Sequence, residues 1–219
     1  MVTRVLVTGA HGKMGTLSVD AIQQAPTLEL VGTCSSADNL SELLITHQPD
    51  VVVDFTLPHC VFDIAKTCIE HNACPVIGTS GLTDTQLDEL KTRCDAKKLG
   101  GLFAPNFSLG AVLMMTYAQD AATYFKHAEI IELHHDKKVD APSGTAVHTR
   151  NKIGRDTPIH SVRLPGLLAH QEVIFGAPGE TLTIRHDALD RKCMMPGVVL
   201  ACEKVIQLKT FVVGLDAIL

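Results

Sequence analysis

Between residues 132 and 145 the chain reads Glu132-Leu-His134-His135-Asp136-Lys-Lys138-Val-Asp140-Ala-Pro142-Ser143-Gly144-Thr145, the densest run of reactive side chains in the sequence. His134 and Lys138 can each hold and release a proton near neutral pH. Pro142 and Ser143 end an extended stretch and open a helix. The N–H groups of Gly144 and Thr145, with the hydroxyls of Ser143 and Thr145, therefore present an anion site. A carboxylate is the natural guest, and His135 and Lys138 add positive charge beside it. Successive strand residues point to opposite faces, so His134 and His135 both meet a ligand only if the strand has ended there. No carboxylate or third histidine stands at a standard ligand spacing, and no metal is expected.

A second constellation lies near the N-terminus. Gly9-Ala10-His11-Gly12-Lys13-Met14-Gly15 joins a short apolar run to a helical pattern. Gly9 permits a tight turn, Gly12 a close backbone approach to a pyrophosphate, and Gly15 close packing of helix on strand. The helix N-terminus adds a partial positive charge. This is the logic of a dinucleotide site, with NADPH or NADH as the guest. The acid that accepts an adenosine 2′-hydroxyl about 20 residues on is missing: the next strand ends Gly32-Thr-Cys-Ser-Ser36, with no acid until Asp38. Its absence removes a repulsion against a 2′-phosphate, which Lys13 could contact, so both cofactors are expected to be accepted.

The elements that must position these groups read as follows. Strand-like runs at residues 4–8, 28–32, 50–54, 75–78 and 101–104 alternate with helical patterns at 13–24, 58–71 and 83–98, the last opened by Thr83 and Gln86 at capping-box spacing. In the run at 50–54 apolar residues come in succession, as in a parallel strand buried on both faces. An α/β fold with a doubly wound parallel sheet follows, and ligands then bind beyond the strand C-termini. After Asn106 the pattern changes to a helix at 109–125, a strand at 128–133 and a helix at 143–154. Three segments expected to be antiparallel strands follow, at 161–164, 170–175 and 181–186. The apolar helical tail at 196–207 is expected to return to the first domain. The boundaries are therefore 1–108 with 192–219 for dinucleotide binding, and 109–191 for a smaller α+β substrate domain.

Composition narrows the class. The 219 residues carry a net charge of −5, which disfavours a nucleic-acid partner. No apolar run reaches the roughly 20 residues of a membrane span, and the N-terminus lacks the features of a signal peptide. The seven cysteines form no C-x-x-C pair, which fits reduced thiols in a cytoplasmic protein.

In sum the chain resembles the dihydrodipicolinate reductase family. The resemblance runs through Val7 to Gly15, Val53-Asp-Phe-Thr56, Gly78-Thr-Ser-Gly81, Ala104-Pro-Asn-Phe-Ser108, and Glu132-Leu-His-His to Pro142-Ser-Gly-Thr-Ala146. It implies a Rossmann-like domain plus a mixed-sheet domain that binds substrate and builds a homotetramer. It implies reduction of 4-hydroxy-tetrahydrodipicolinate, a cyclic dicarboxylate, by NADPH or NADH on the route to diaminopimelate and lysine. His134 and Lys138 become the proton carriers, and His135, Ser143, Gly144 and Thr145 the substrate contacts. Gly9 to Met14 become the pyrophosphate loop. Gly78, Thr79 and Ser80, with Ala104, Pro105, Asn106 and Phe107, become the nicotinamide-side contacts. The acid present after the second strand in some members is absent here, and the chain is short for the family. From the residues alone, two alternatives stand: another Rossmann-type NAD(P) reductase, or a non-enzymatic dinucleotide sensor that would have no use for His134 and Lys138.

Overall fold

The computed structural model describes residues 2–219. The chain divides into two compact units, Met1–Phe107 with Met194–Leu219, and Ser108–Cys193.

The first unit alternates β1 (Thr3–Thr8), α1 (Lys13–Gln24), β2 (Leu28–Cys34), α2 (Leu40–His47), β3 (Val51–Asp54), α3 (Val61–Glu70), β4 (Cys74–Ile77), α4 (Asp84–Lys97) and β5 (Gly101–Phe103). The tail adds α7 (Met195–Val205) and β10 (Phe211–Val213). All pairings are parallel, in the order β10-β5-β4-β3-β1-β2. The order reverses between β1 and β3, which is where a doubly wound sheet opens a crevice for a ligand. Val5, Leu6, Val7, Val51, Val52, Val53 and Val76 are wholly buried, because helices cover both faces.

Several local expectations need correction. Asn39 caps α2, accepting the Ser41 and Glu42 N–H groups, where no helix was expected. The helix expected from Pro58 starts at Val61 instead: the Leu57 carbonyl accepts the N–H groups of Cys60 and Val61, so Pro58 is spent in the preceding turn. β10 is a sixth strand with no counterpart in the sequence reading. Its three residues are too short to show a period. The Thr83–Gln86 capping box of α4 forms as expected, with both reciprocal bonds present.

The second unit contains α5 (Leu109–Ala121), β6 (His127–His134), α6 (Gly144–Ile153), β7 (Ile159–Arg163), β8 (Ala169–Ala177) and β9 (Glu180–Ala188). Its sheet runs β7-β6-β8-β9. β6–β8 and β8–β9 are antiparallel, but β7 lies parallel to β6. The expectation of three consecutive antiparallel strands is therefore wrong for the first of them. α6 acts as a crossover between β6 and β7, and a helix in that position carries the chain back to start a parallel neighbour. Gln171, Val173 and Phe175 alternate inward on β8 and are buried with Ile130, Met114, Met115 and Ala118. Gln171 donates to Thr149 Oγ1 at 2.6 Å, tying α6 to the sheet.

Candidate active site

In the first unit the glycine loop follows β1 and caps α1. Gly9 sits at φ +70°, and a Cβ there would come within 2.4 Å of the Phe55 carbonyl oxygen. A Cβ on Gly15 would stand 2.1 Å from the Gly9 carbonyl oxygen. The loop closes on itself through Gly12 N–H to the Gly9 carbonyl, 3.0 Å. Gly12 is the N-cap of α1 and has no side chain to bond the first turn. The N–H groups of Lys13 and Met14 are therefore left by helix geometry to an external acceptor.

Beside the loop opens a cavity of about 610 Å³, whose lining includes Gly9, His11, Gly12, Ser35, Asp38 and Leu57. Its size suits a nucleoside-sized group. Backbone donors, a glycine cradle that a Cβ would fill, and this cavity together fit a bound dinucleotide.

β2 ends at Cys34 without an acid, and the next acid, Asp38, comes four residues later. Asp38 lines that cavity, and its carboxylate accepts the N–H of Ser35 at 2.8 Å and its hydroxyl at 2.7 Å. These two bonds hold the Asp38 carboxyl below the ordinary value. The turn closed by Asp38 N–H on the Ser35 carbonyl, 3.2 Å, folds this residue back onto the end of β2.

The C-terminal ends of three adjacent strands are tied by one buried carboxylate. Asp54, at the end of β3, accepts the hydroxyls of Thr8 at 2.7 Å, Thr56 at 2.7 Å and Thr79 at 2.6 Å. Of the expected nicotinamide-side contacts, Thr79 is thereby fixed in place. Gly78 follows β4 with its N–H on the Asp54 carbonyl, 2.9 Å, and Ser80 is exposed. Ala104 is buried, with its N–H on the Ile77 carbonyl, 3.0 Å. Pro105 is exposed and Asn106 partly so. Phe107 is buried, its ring edge-on to Phe55 at 5.7 Å between centroids, so that ring serves packing.

The second unit gathers the other predicted residues. His134 is the last residue of β6, and His135 lies beyond the strand, so the alternation of faces no longer constrains the pair. Ser143 caps α6, its Oγ accepting the Ala146 N–H at 3.2 Å. Gly144 and Thr145 form the first turn and are left without intrahelical acceptors. Lys138 Nζ bonds both carboxylate oxygens of Asp140, at 2.7 and 2.8 Å.

Two residues not singled out by the sequence reading complete the cluster. Glu132, wholly buried, accepts from His134 Nδ1 and from the Ser143 N–H at 3.2 Å. Arg163, on β7, donates to its two oxygens at 2.7 and 3.0 Å. Burial alone would raise the Glu132 carboxyl. The Arg163 guanidinium, with bonds from Ser161 and His134, outweighs it and holds the carboxyl below the usual range. Burial pushes His134 below the ordinary imidazole value, opposed by Glu132 and assisted by the Lys138 and Arg163 cations. The signal for Glu132 was available, because residues two apart on a strand share a face. Arg163 was not accessible, because its place beside Glu132 depends on the parallel β6–β7 pairing.

Comparison with known proteins agrees with this geometry. The model of the dihydrodipicolinate reductase N-terminus matches residues 3–107, and that of the C-terminus residues 110–219. The chain belongs to the dihydrodipicolinate reductase family. A 4-hydroxy-tetrahydrodipicolinate reductase from Legionella pneumophila subsp. pneumophila strain Philadelphia 1 is 47% identical over 243 aligned positions, with both chains fully covered. The same-named protein of Coxiella burnetii strain RSA 493 is 48% identical over 239, again with full coverage. Both alignments are longer than the 219 residues of this chain, in keeping with its shortness.

A dipicolinate-bound dihydrodipicolinate reductase from Paenisporosarcina sp. TG-14 superposes with a TM-score of 0.93 at 40% identity, covering all of both chains. An amine dehydrogenase from Mycobacterium smegmatis, 12% identical, shares the fold with a TM-score of 0.74, covering 98% of this chain and 95% of its own. As a dihydrodipicolinate reductase the chain is an oxidoreductase of the diaminopimelate and lysine route that uses NADPH or NADH. The alternative of a non-enzymatic sensor falls away.

Proposed function

We propose that the first unit holds the dinucleotide on Gly9 to Met14, with Gly78 to Ser80 and Ala104 to Phe107 on the nicotinamide side. The second unit, on this reading, holds 4-hydroxy-tetrahydrodipicolinate. The observation that carries this is the meeting of His134 and the cap of α6 on one buried carboxylate, Glu132, whose partner Arg163 also holds the carbonyl of Asp140, the residue paired with Lys138. A carboxylate of the substrate accepts the N–H groups of Gly144 and Thr145 and the Thr145 hydroxyl, with the Ser143 cap holding that turn open. His135 and Lys138 lie on the adjoining loop and offset its charge.

Replacing the ring hydroxyl by hydrogen consumes one hydride and one proton and releases water. The bound dinucleotide supplies the hydride. His134 and Lys138 carry the proton, each able to give it to the substrate and regain it from solvent. Asp140 holds the Lys138 ammonium in the loop until substrate arrives.

Two further parts belong to the same proposal. A homotetramer is carried over from the family resemblance, and a cytoplasmic location is supported by seven free thiols, which suit a reducing compartment. No helix among the described residues is long and apolar enough to cross a membrane. Purified protein given freshly prepared 4-hydroxy-tetrahydrodipicolinate and either NADPH or NADH tests the assignment, by loss of the reduced cofactor's absorbance. Oxidation that proceeds unchanged in the His134→Gln and Lys138→Ala variants would overturn the proposed roles. Light scattering on the same sample checks the tetramer.

A further inference from the structure

Glu132 is a charged side chain with no exposure to solvent, placed two residues before His134 on the same face of β6. Burying a carboxylate is expensive unless every oxygen is paired. Here donors from three elements meet it, Ser161 of β7 among them. His134 Nδ1 and Arg163 Nη1 (3.0 Å) reach Oε2, and Arg163 Nη2 (2.7 Å) and the Ser143 N–H (3.2 Å) reach Oε1. The same guanidinium donates onward, Nη1 to the Val162 carbonyl and Nη2 to the Asp140 carbonyl, each at 2.8 Å. The Glu132–Arg163 pair thus touches the imidazole, the loop that carries Lys138, and the cap of α6.

An ionised carboxylate only accepts hydrogen bonds. Its partner on His134 must therefore be a donor, which places a proton on Nδ1 in both charge states of the ring. Nε2 is then the atom whose proton comes and goes.

We propose that Glu132 is the positioning residue of this reductase: it fixes the His134 tautomer so that Nε2 faces the chemistry, and with Arg163 it sets the Lys138 loop and the α6 anion site around that ring. The proposal rests on the assignment of His134 as a proton carrier. In the step it governs, Nε2–H of the imidazolium passes its proton to the substrate. The N–H bond breaks, its electron pair stays on nitrogen, and the neutral ring keeps its Nδ1 proton on Glu132. The charged groups facing His134 are Glu132 on its own strand, Arg163 on β7 and Lys138 on the following loop. Its partner on β8 is Ala169, which is uncharged.

The decisive measurement needs no variant of Glu132. Long-range proton–nitrogen spectra of the histidine-labelled protein report the tautomer of each neutral imidazole, and the His134 signal is assigned by its disappearance in His134→Gln. The expected result is protonated Nδ1 and bare Nε2; the opposite tautomer would overturn the proposal. Glu132→Gln supplies the kinetic half. Its kcat is expected to fall on the order of a hundredfold, with cofactor affinity unchanged. The ionisation of His134 in the pH–rate profile should move to lower pH, because the charge that favours the imidazolium has gone. Wild-type kcat and an unmoved profile in Glu132→Gln would refute the positioning role. If that variant does not fold, the wild-type tautomer still decides. A His134→Gln enzyme with full turnover would instead remove the proton-carrier assignment, leaving the tautomer result to stand as geometry alone.

Discussion

The first turn of α1, in the first unit, and the first turn of α6, in the second, both leave backbone N–H groups without intrahelical acceptors, yet they are framed differently. Gly12 caps α1 with no side-chain bond, and glycines at 9 and 15 keep every Cβ out of the way. Ser143 caps α6 through its hydroxyl, and its own N–H is held by a buried carboxylate that also grips a histidine and an arginine. The first arrangement offers shape and backbone dipoles and no group that titrates near neutrality in the cap itself. The second, in the proposed roles, couples anion binding to proton chemistry. Under the proposed assignment the carrier is held by geometry, and the acceptor by a network whose charge state matters.

The largest expected separation between the two comes from Lys138→Ala. The side chain belongs to the second unit and is paired with Asp140 there, so kcat should fall about a hundredfold or more, roughly 2.7 kcal/mol of barrier, with dinucleotide affinity intact. Stopped-flow turnover alongside a fluorescence titration of NADPH would show it; an equal loss in both would erase the division of labour. Gly15→Ala is the complementary break. Its Cβ would enter the space of the Gly9 carbonyl oxygen, 2.1 Å away, so α1 must move off β1. Such overpacking costs about 1–3 kcal/mol. We expect weaker cofactor binding and a lower melting temperature, while the His134 region keeps its pH behaviour.

Acid should distinguish the units further. Glu132 is held below its ordinary 4.5, so the stability it contributes is full above that value and drains as pH falls through the lower folded one. His134 is held below its ordinary 6.5, so its contribution is likewise full above 6.5 and lost on descent. Both groups destabilise the second unit on acidification. In the first unit the lowered carboxyls of Asp38 and Asp95 are exposed and weigh little. Hydrogen exchange on a pH series should therefore show β6 and β8 losing protection before β1 and β3. The reverse order would contradict the linkage.

How far the sequence disclosed all this differs between the same two regions. Gly9, Gly12 and Gly15 are legible because each answers a local backbone demand, and the capping box at Thr83 is legible for the same reason. The α6 site was half legible. Ser143 announces a cap and His134 ends a strand, both local facts. Arg163 does not, because its partner Glu132 lies 31 residues away and meets it only through a parallel pairing that a crossover helix imposes. Asp54 is the same case in the first unit, since its hydroxyl partners Thr8, at the end of β1, and Thr79, just beyond β4, are brought to it by neighbouring strands. Pattern reveals what a segment needs for itself, and sheet order decides which buried charges find one another.

The smallest expected effect concerns Asp38, where the two anion sites meet a common question of charge. A 2′-phosphate brought into the cavity beside Ser35 would face the Asp38 carboxylate, whereas a 2′-hydroxyl could donate to it. Because the group is exposed, solvent screens much of that difference. Asp38→Asn keeps the size and removes the charge. Its ratio of kcat/KM for NADPH over NADH should rise, by about tenfold at most, and the rise should shrink as salt is added. Lys13, exposed beside the glycine loop, is the remaining group that could favour a phosphate, so Lys13→Ala should move the ratio the other way. A ratio unmoved by Asp38→Asn would mean that Asp38 does not read the ribose, and that this site selects its carrier by backbone and shape alone.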